Sequence, residues 1–309
     1  MATSIVFFGS FQDYSVQVLN KLNLDKSFSV ASVITTTPKP KGRGLKPSPN
    51  PTHEFALAHN LHVLTPQDPG SSPEELLPFR PDFMVVAGYG KLLHKNWLDF
   101  PKSMAINLHP SLLPAYRGAN PAEWAILNNE SQTGVTLIKM SEKFDQGGIL
   151  AQEICPISAF DTRETLYGKL FDQGASLLTR TLPQILARTI TPRPQTGNPS
   201  TAPALKRSDG FVPRTFLISA VNGEMVPLEL LPELFRKIVH RKNLNLIPAA
   251  IYLELAVRAL SGWPGVWTTL KNGKRLKLLS GNLTPDKAFI PILIQEEGGK
   301  PKPFNSDLF

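Results

Sequence analysis

The sequence predicts an α/β protein in which an open, mostly parallel sheet is followed by a small antiparallel β domain. Three observations carry that prediction. Over the first 150 residues, short apolar runs alternate with polar, helix-compatible segments, the order of a parallel sheet with crossover helices. The runs Ile5-Val6-Phe7-Phe8 and Val85-Val86-Ala87 are apolar throughout, as strands covered on both faces are. Near the C-terminus three more runs are separated by Asn272-Gly273 and Gly281-Asn282, and Asn-Gly between apolar runs is a hairpin signal.

Taken in order, the first sheet draws strands from Ser4–Phe8, Val30–Ile34, His62–Leu64, Phe83–Ala87, Met104–Leu108 and Val135–Lys139. Helices are expected over Tyr14–Leu22, Thr52–His59 and Ala119–Asn128. A longer helix starts near Thr162, with Leu166, Leu170, Leu178, Leu182 and Leu186 on one face and Pro183 as a kink. Residues 191–204 are too rich in proline and polar residues for a core element and are expected to be an extended linker between domains 1–190 and 205–309. Beyond it come a helix over Ile247–Leu260 and strands at Val266–Leu270, Arg275–Leu279 and Phe289–Ile294. Trp263 and Trp267 flank Pro264-Gly265 and are expected to anchor the core of this second domain.

A chain of 309 residues is comfortable for two domains, and 41% hydrophobic content excludes wholesale disorder. No apolar run approaches the roughly 20 residues of a membrane span. The N-terminus has no basic stretch before its apolar run, which is unlike a signal peptide, and Cys155 is the only cysteine, so a reducing cytoplasm fits. The six histidines do not cluster at ligand spacings, and no metal is expected. Net charge is +8, unevenly spread: residues 1–199 carry 18 Lys/Arg against 16 Asp/Glu, and residues 200–309 carry 15 against 9. That excess fits either a polyanion partner or a merely basic surface.

The densest chemistry lies at Asn107-Leu-His109-Pro110-Ser111-Leu112-Leu113-Pro114, followed by Asp145-Gln-Gly147-Gly148. Residues two apart on a strand share a face, so Asn107 and His109 project together, where ligands of open parallel sheets sit. An amide donor, a titratable ring and a carboxylate suit carbonyl chemistry; strand-end hydrogen bonding and an ordinary turn aspartate are the alternative reading. Phe11 and Tyr14 after Gly9-Ser10 do not form a dinucleotide fingerprint, since G-x-G-x-x-G is absent. Thr35–Pro51 holds five prolines, four Lys/Arg and two glycines with no acidic residue, a solvated loop or a basic contact surface.

These motifs resemble the folate-dependent formyltransferase family. With Phe8-Gly9-Ser10, Gly42-Arg43-Gly44, Val85-Val86-Ala87-Gly88-Tyr89-Gly90, Gly134-Val135-Thr136-Leu137 and Gly262-Trp263-Pro264-Gly265-Val266-Trp267, the resemblance covers almost the whole chain and is nearest to the branch acting on methionyl-tRNA. It implies a Rossmann-like catalytic domain and an OB-like barrel that holds tRNA. It implies 10-formyltetrahydrofolate as co-substrate, initiator methionyl-tRNA as partner, no membrane and a monomer.

By that resemblance Asn107, His109 and Asp145 are catalytic, and Ser111, Leu112, Leu113, Pro114, Val86, Gly88, Tyr89 and Leu92 contact folate. Arg43, Lys39, Lys41, Lys46, Lys274 and Arg275 contact tRNA. Two positions depart from the methionyl-tRNA branch: Pro110 stands where glycine is usual, and Phe11 where proline is. His109-Pro110-Ser-Leu-Leu-Pro is closer to the branch that formylates glycinamide ribonucleotide. Transfer to that acceptor, transfer to an amino sugar nucleotide, and a non-catalytic RNA-binding role are the alternatives.

Overall fold

A computed structural model describes residues 2–41, 46–66, 76, 78–239 and 246–305. The chain divides into two compact units, one of residues 1–121, 132–156 and 167–202, the other of 122–131, 157–166 and 203–309.

The first unit is built on a seven-stranded sheet. Its strands are β1 (Thr3–Phe8), β2 (Phe28–Ile34), β5 (Val63–Leu64), β6 (Phe83–Ala87), β7 (Met104–His109), β9 (Gln132–Lys139) and β10 (Ile149–Pro156), in the order β10-β9-β7-β6-β1-β2-β5. A short hairpin, β3 (Lys39–Lys41) with β4 (Lys46–Ser48), and a two-strand ribbon, β8 (Arg117–Gly118) with β11 (Thr201–Ala202), stand apart from it.

Pairing is parallel from β7 through β5 and antiparallel for β7–β9 and β9–β10. The central strands β1 and β6 bury every side chain of Ile5–Phe8 and Phe83–Ala87, which explains their unbroken apolar runs. The edge strand β10 was not among the anticipated strands, because Ala151, Gln152 and Glu153 interrupt its apolar pattern.

Helices cover this sheet. α1 (Gln12–Leu24) turns Tyr14, Ser15, Val18, Leu19 and Leu22 inward, the spacing of one helical face. In α2 (Pro51–Ala58) the side chain of Asn50 accepts from His53 N at 3.1 Å, capping the first turn. α3 (Lys95–Leu98) is a single turn; α4 (Pro121–Leu127) follows β8 in the chain and, from residue 122 on, belongs to the second unit. α5 (Arg163–Leu186) is assigned as one helix with Pro183 inside it, the residue expected to kink or locally distort it. Gly174 of α5 lets the helix lie close against the sheet, since a Cβ there would come 2.7 Å from Leu108 Cδ1 and 2.9 Å from Val135 Cγ2.

The second unit carries α6 (Arg214–Val221), α7 (Glu233–Val239) and α8 (Ala249–Ala259), with a ribbon of β12 (Met225–Pro227) and β13 (Leu246–Pro248). Its main sheet is antiparallel, in the order β14 (Val266–Thr269), β15 (Arg275–Leu283), β16 (Phe289–Glu296) and β17 (Lys302–Pro303). β14 and β15 join at Asn272-Gly273, as the hairpin signal predicts, with Gly273 at φ 80°. Gly281-Asn282, expected to separate two strands, instead lies inside β15 at a register irregularity, and Thr284–Ala288 makes the turn. Trp263 does not anchor the core: it is 52% exposed in the turn after α8, while Trp267 is half-buried beneath Arg275.

Replacing Gly174 with Val is expected to lower stability by about 1–3 kcal/mol through overpacking against Leu108 and Val135. A shift of the chemical denaturation midpoint to lower urea checks this; an unchanged midpoint contradicts the close approach.

Candidate active site

Asn107 and His109 lie two apart at the C-terminal end of β7, and the chain between β9 and β10 carries Asp145 back across their face. Asn107 Nδ2 donates to Asp145 Oδ1 at 3.4 Å, and His109 Nδ1 stands 3.5 Å from the same oxygen. Gly118 N donates to Asp145 Oδ2 at 2.8 Å. The carboxylate is therefore shared by two side chains of β7 and one backbone amide of β8. His109 is 4% exposed, and its Nε2 donates to the Tyr116 carbonyl at 2.9 Å. Both ring nitrogens face acceptors. One amide hydrogen of Asn107 is used by Asp145; the other has no partner among the described residues.

These residues border a cavity of about 560 Å³. Its walls include Val86, Gly88, Tyr89 and Leu92, which the family resemblance assigns to folate contact, together with Ser10 and Met140. An aromatic group that the sequence analysis did not assign to a site also lines it. Phe11 packs against Tyr14, Tyr167 and Phe171 with ring centroids 5.0–5.9 Å apart, and Phe11, Tyr167 and Phe171 face the cavity. Sequence spacing could have found only its halves, Phe11 with Tyr14 and Tyr167 with Phe171, because the fold alone unites them.

Gly88 and Gly90 both take positive φ, 67° and 74°, which turns the chain after β6 and presents backbone to the cavity. Tyr89 between them is buried and packs edge-on against Phe8. Burial pushes its phenol up to about 12, so it stays protonated, and its hydroxyl has no partner among the described residues. A polar group left unpaired beside a cavity of this size fits a ligand with both apolar and hydrogen-bonding surface.

Ser111, Leu112, Leu113 and Pro114 are not part of the cavity wall. They form the bend after β7. Ser111 Oγ donates to the Ala115 carbonyl at 2.6 Å, and Leu113 packs with Ile138 and Ile149. Buried Thr136 holds this bend: its Oγ1 donates to Ser111 O at 2.6 Å and accepts from Leu113 N at 3.1 Å and Gln152 Nε2 at 3.0 Å.

Of the basic residues, Lys39 is exposed on β3. Arg43 and the side chains of Lys41 and Lys46 lie outside the described residues. In the second unit Lys274 is exposed, and Arg275 sits with its Cζ 4.5 Å from the Trp267 ring centroid. Among the described residues no group of three metal-ligating side chains occurs, and no helix is long and apolar enough to cross a membrane.

Residues 3–182 match the formyl transferase family model. A methionyl-tRNA formyltransferase of Enterococcus faecalis is 37% identical over 75% of this chain and 75% of its own length. One from Roseiflexus castenholzii is 34% identical over 93% of this chain and 82% of its own. Among solved structures, an N-formyltransferase of Helicobacter canadensis in complex with folinic acid and dTDP-3-aminofucose superposes with a TM-score of 0.60 at 19% identity, covering 92% of this chain and 88% of that one.

Thr136→Val keeps the shape and removes the hydroxyl, stranding the buried Leu113 amide. Stability is expected to fall by about 1–3 kcal/mol, and Thr136→Ser to retain most of it, as read by denaturant midpoints.

Proposed function

The chain belongs to the formyl transferase family, and we propose that its acceptor is the free amine of initiator methionyl-tRNA, yielding formylmethionyl-tRNA for translation initiation. The observation that carries the chemistry is the convergence of Asn107 and His109 on one oxygen of Asp145 beside the cavity. What supports the acceptor is the reach of the similarity, since the Roseiflexus methionyl-tRNA formyltransferase aligns over 93% of this chain, well beyond residues 3–182. The second part is also the more basic, with 15 Lys/Arg against 9 Asp/Glu over residues 200–309. The reading includes an OB-like character for the C-terminal sheet and a cytoplasmic setting.

In this reading the cavity holds 10-formyltetrahydrofolate, with Val86, Gly88, Tyr89 and Leu92 along the flat ring system and the Tyr89 hydroxyl as a donor to it. Bound folate would supply the formyl carbon that the amine attacks; as the new C–N bond forms and the folate nitrogen's bond to that carbon breaks, one proton must leave the amine and one must reach the leaving nitrogen. Asn107 turns its free amide hydrogen to the formyl oxygen, where negative charge gathers as the new C–N bond forms. His109 keeps Nε2 on the Tyr116 carbonyl and turns the hydrogen of Nδ1, which stands 3.5 Å from Asp145 in this structure, to the formyl oxygen, and Asp145 relays the amine's proton through water. Arg43, Lys39, Lys41, Lys46, Lys274 and Arg275 are the proposed tRNA contacts; phosphate attraction there positions the acceptor end without reading its sequence.

Asn107→Ala is expected to lower kcat by about 10²–10³-fold, the usual loss for one oxyanion donor. His109→Ala and Asp145→Asn should be damaged as well, and near-normal turnover in all three overturns the site. Offering one labelled donor to charged initiator tRNA, glycinamide ribonucleotide and an amino sugar nucleotide together tests the acceptor. Label on either small molecule in preference to tRNA refutes the proposed acceptor while leaving the formyl transfer standing.

A further inference from the structure

The proline-rich segment after α5 was expected to be an extended linker. It is extended, yet it is stitched along its length to the two loops that build the active site. Arg193 exchanges both backbone hydrogen bonds with Ile149, at 2.7 and 2.9 Å. Ser200 accepts at its carbonyl from Arg117 N (2.9 Å) and at its Oγ from Tyr116 N (2.9 Å), and donates from its own N to Pro114 O (3.2 Å). β11 then pairs with β8, and Ala119 N donates to Ala202 O at 2.9 Å.

Between these anchors sits Gln195, half-buried among exposed neighbours. Its Nε2 donates to the carbonyls of Asp145 (2.7 Å) and Gly147 (2.9 Å), and its Oε1 accepts from Arg117 Nε (3.1 Å) and Nη2 (2.6 Å). Two donors and two acceptor sites are all that a primary amide has, and all four are used. One side chain thus joins the Asp145 loop to the Arg117 loop.

Both loops reach the catalytic group through their backbones. The Asp145 loop delivers the carboxylate, and Asp145 holds φ 53°, a left-handed turn conformation uncommon for non-glycine residues though tolerated by aspartate. The Arg117 loop delivers Gly118 N to that carboxylate and the Tyr116 carbonyl to His109 Nε2. We propose that Gln195 is a positioning residue for formyl transfer: it pins the Asp145 backbone against the Arg117 loop and so sets the distance between the carboxylate and His109. Arg117 is the second half of the device, held by its guanidinium. The inference rests on the transferase reading above.

The test is the full-length enzyme carrying Gln195→Ala or Gln195→Glu. The glutamate keeps both contacts with Arg117 and loses the two donors to the Asp145 and Gly147 carbonyls. Both variants should lose about 10²-fold in kcat, the effect of a misplacement near 1 Å, with KM for folate and for charged tRNA unchanged. Wild-type kcat in either variant overturns the proposal, as does a rise in KM with kcat intact. A glutamate variant restored to wild-type kcat, with only alanine impaired, shows that the Arg117 tether alone matters and also overturns it.

Hydrogen exchange on the same proteins gives a readout independent of turnover. The Gly118 amide, which donates to Asp145, should exchange faster in both variants while amides of the β1 and β6 core stay protected. Unchanged Gly118 protection refutes the proposal. A wild-type protein inactive with every acceptor refutes the transferase reading instead. Loss of core protection would mark a variant that fails to fold, and the other variant then decides.

Discussion

Asp145 is a carboxylate withdrawn from water, its side chain only 10% exposed, and such a group must be met by donors. The Gly118 amide meets one oxygen at 2.8 Å, while Asn107 and His109 face the other at 3.4 and 3.5 Å. These partners come from the end of β7 and from the ribbon strand β8, while Asp145 itself comes from the loop after β9. The constraint therefore reaches well beyond the residues that touch it. Gly147 can only be glycine, because a Cβ there would lie 1.7 Å from the Lys139 carbonyl where the hairpin closes. Gly118, at φ 121°, passes so near β11 that a Cβ would come 2.7 Å from Ala202 O.

The antiparallel edge of the sheet makes this possible. In an all-parallel sheet each strand leaves at the same end, and the segment after β9 would need a crossover helix before returning. With β9 antiparallel to β7 and hairpinned to β10, a nine-residue stretch is enough to fold Asp145 across Asn107 and His109, with Lys139 N donating to Gly148 O to close it. The same edge supplies Thr136 and Gln152, which hold the bend at Ser111–Leu113. Catalytic face and supporting bend thus share one pair of strands.

Much of this was legible in the sequence, and the exceptions have physical causes. The apolar runs of β1 and β6 announce buried strands because both faces are covered, and the i, i+2 placement of Asn107 and His109 needs only the pleat of a strand. What joins Asp145 to them is a contact 38 residues apart in sequence, which no local pattern encodes; only the resemblance to a family pointed to it. Composition sets residues 191–204 apart from the helix before them. It is silent on Gln195, because one polar residue among prolines looks like any other until its four hydrogen bonds are seen. Trp263 misled for the opposite reason: a large aromatic usually anchors a core, but here Gly262 and Gly265, both in left-handed conformations, carry it outward in a turn.

The turn after β1 shows how the fold's usual anion site has been put to other use. In open α/β sheets the first helix N-terminus commonly offers backbone amides to a phosphate. Here Phe11 N is already bonded to Ser15 Oγ at 2.9 Å, and that hydroxyl is itself tied to the Ala87 carbonyl at 2.7 Å. Gln12 turns at φ 50°, and the Phe11 ring closes over the helix start against Tyr14, Tyr167 and Phe171. A Cβ on Gly88 would strike Phe11 at 2.5 Å, so the glycine after β6 and the aromatic after β1 are fitted to each other. The place where a nucleotide-binding sheet holds a phosphate has become an apolar wall, and the polar chemistry has moved two strands along, to the end of β7.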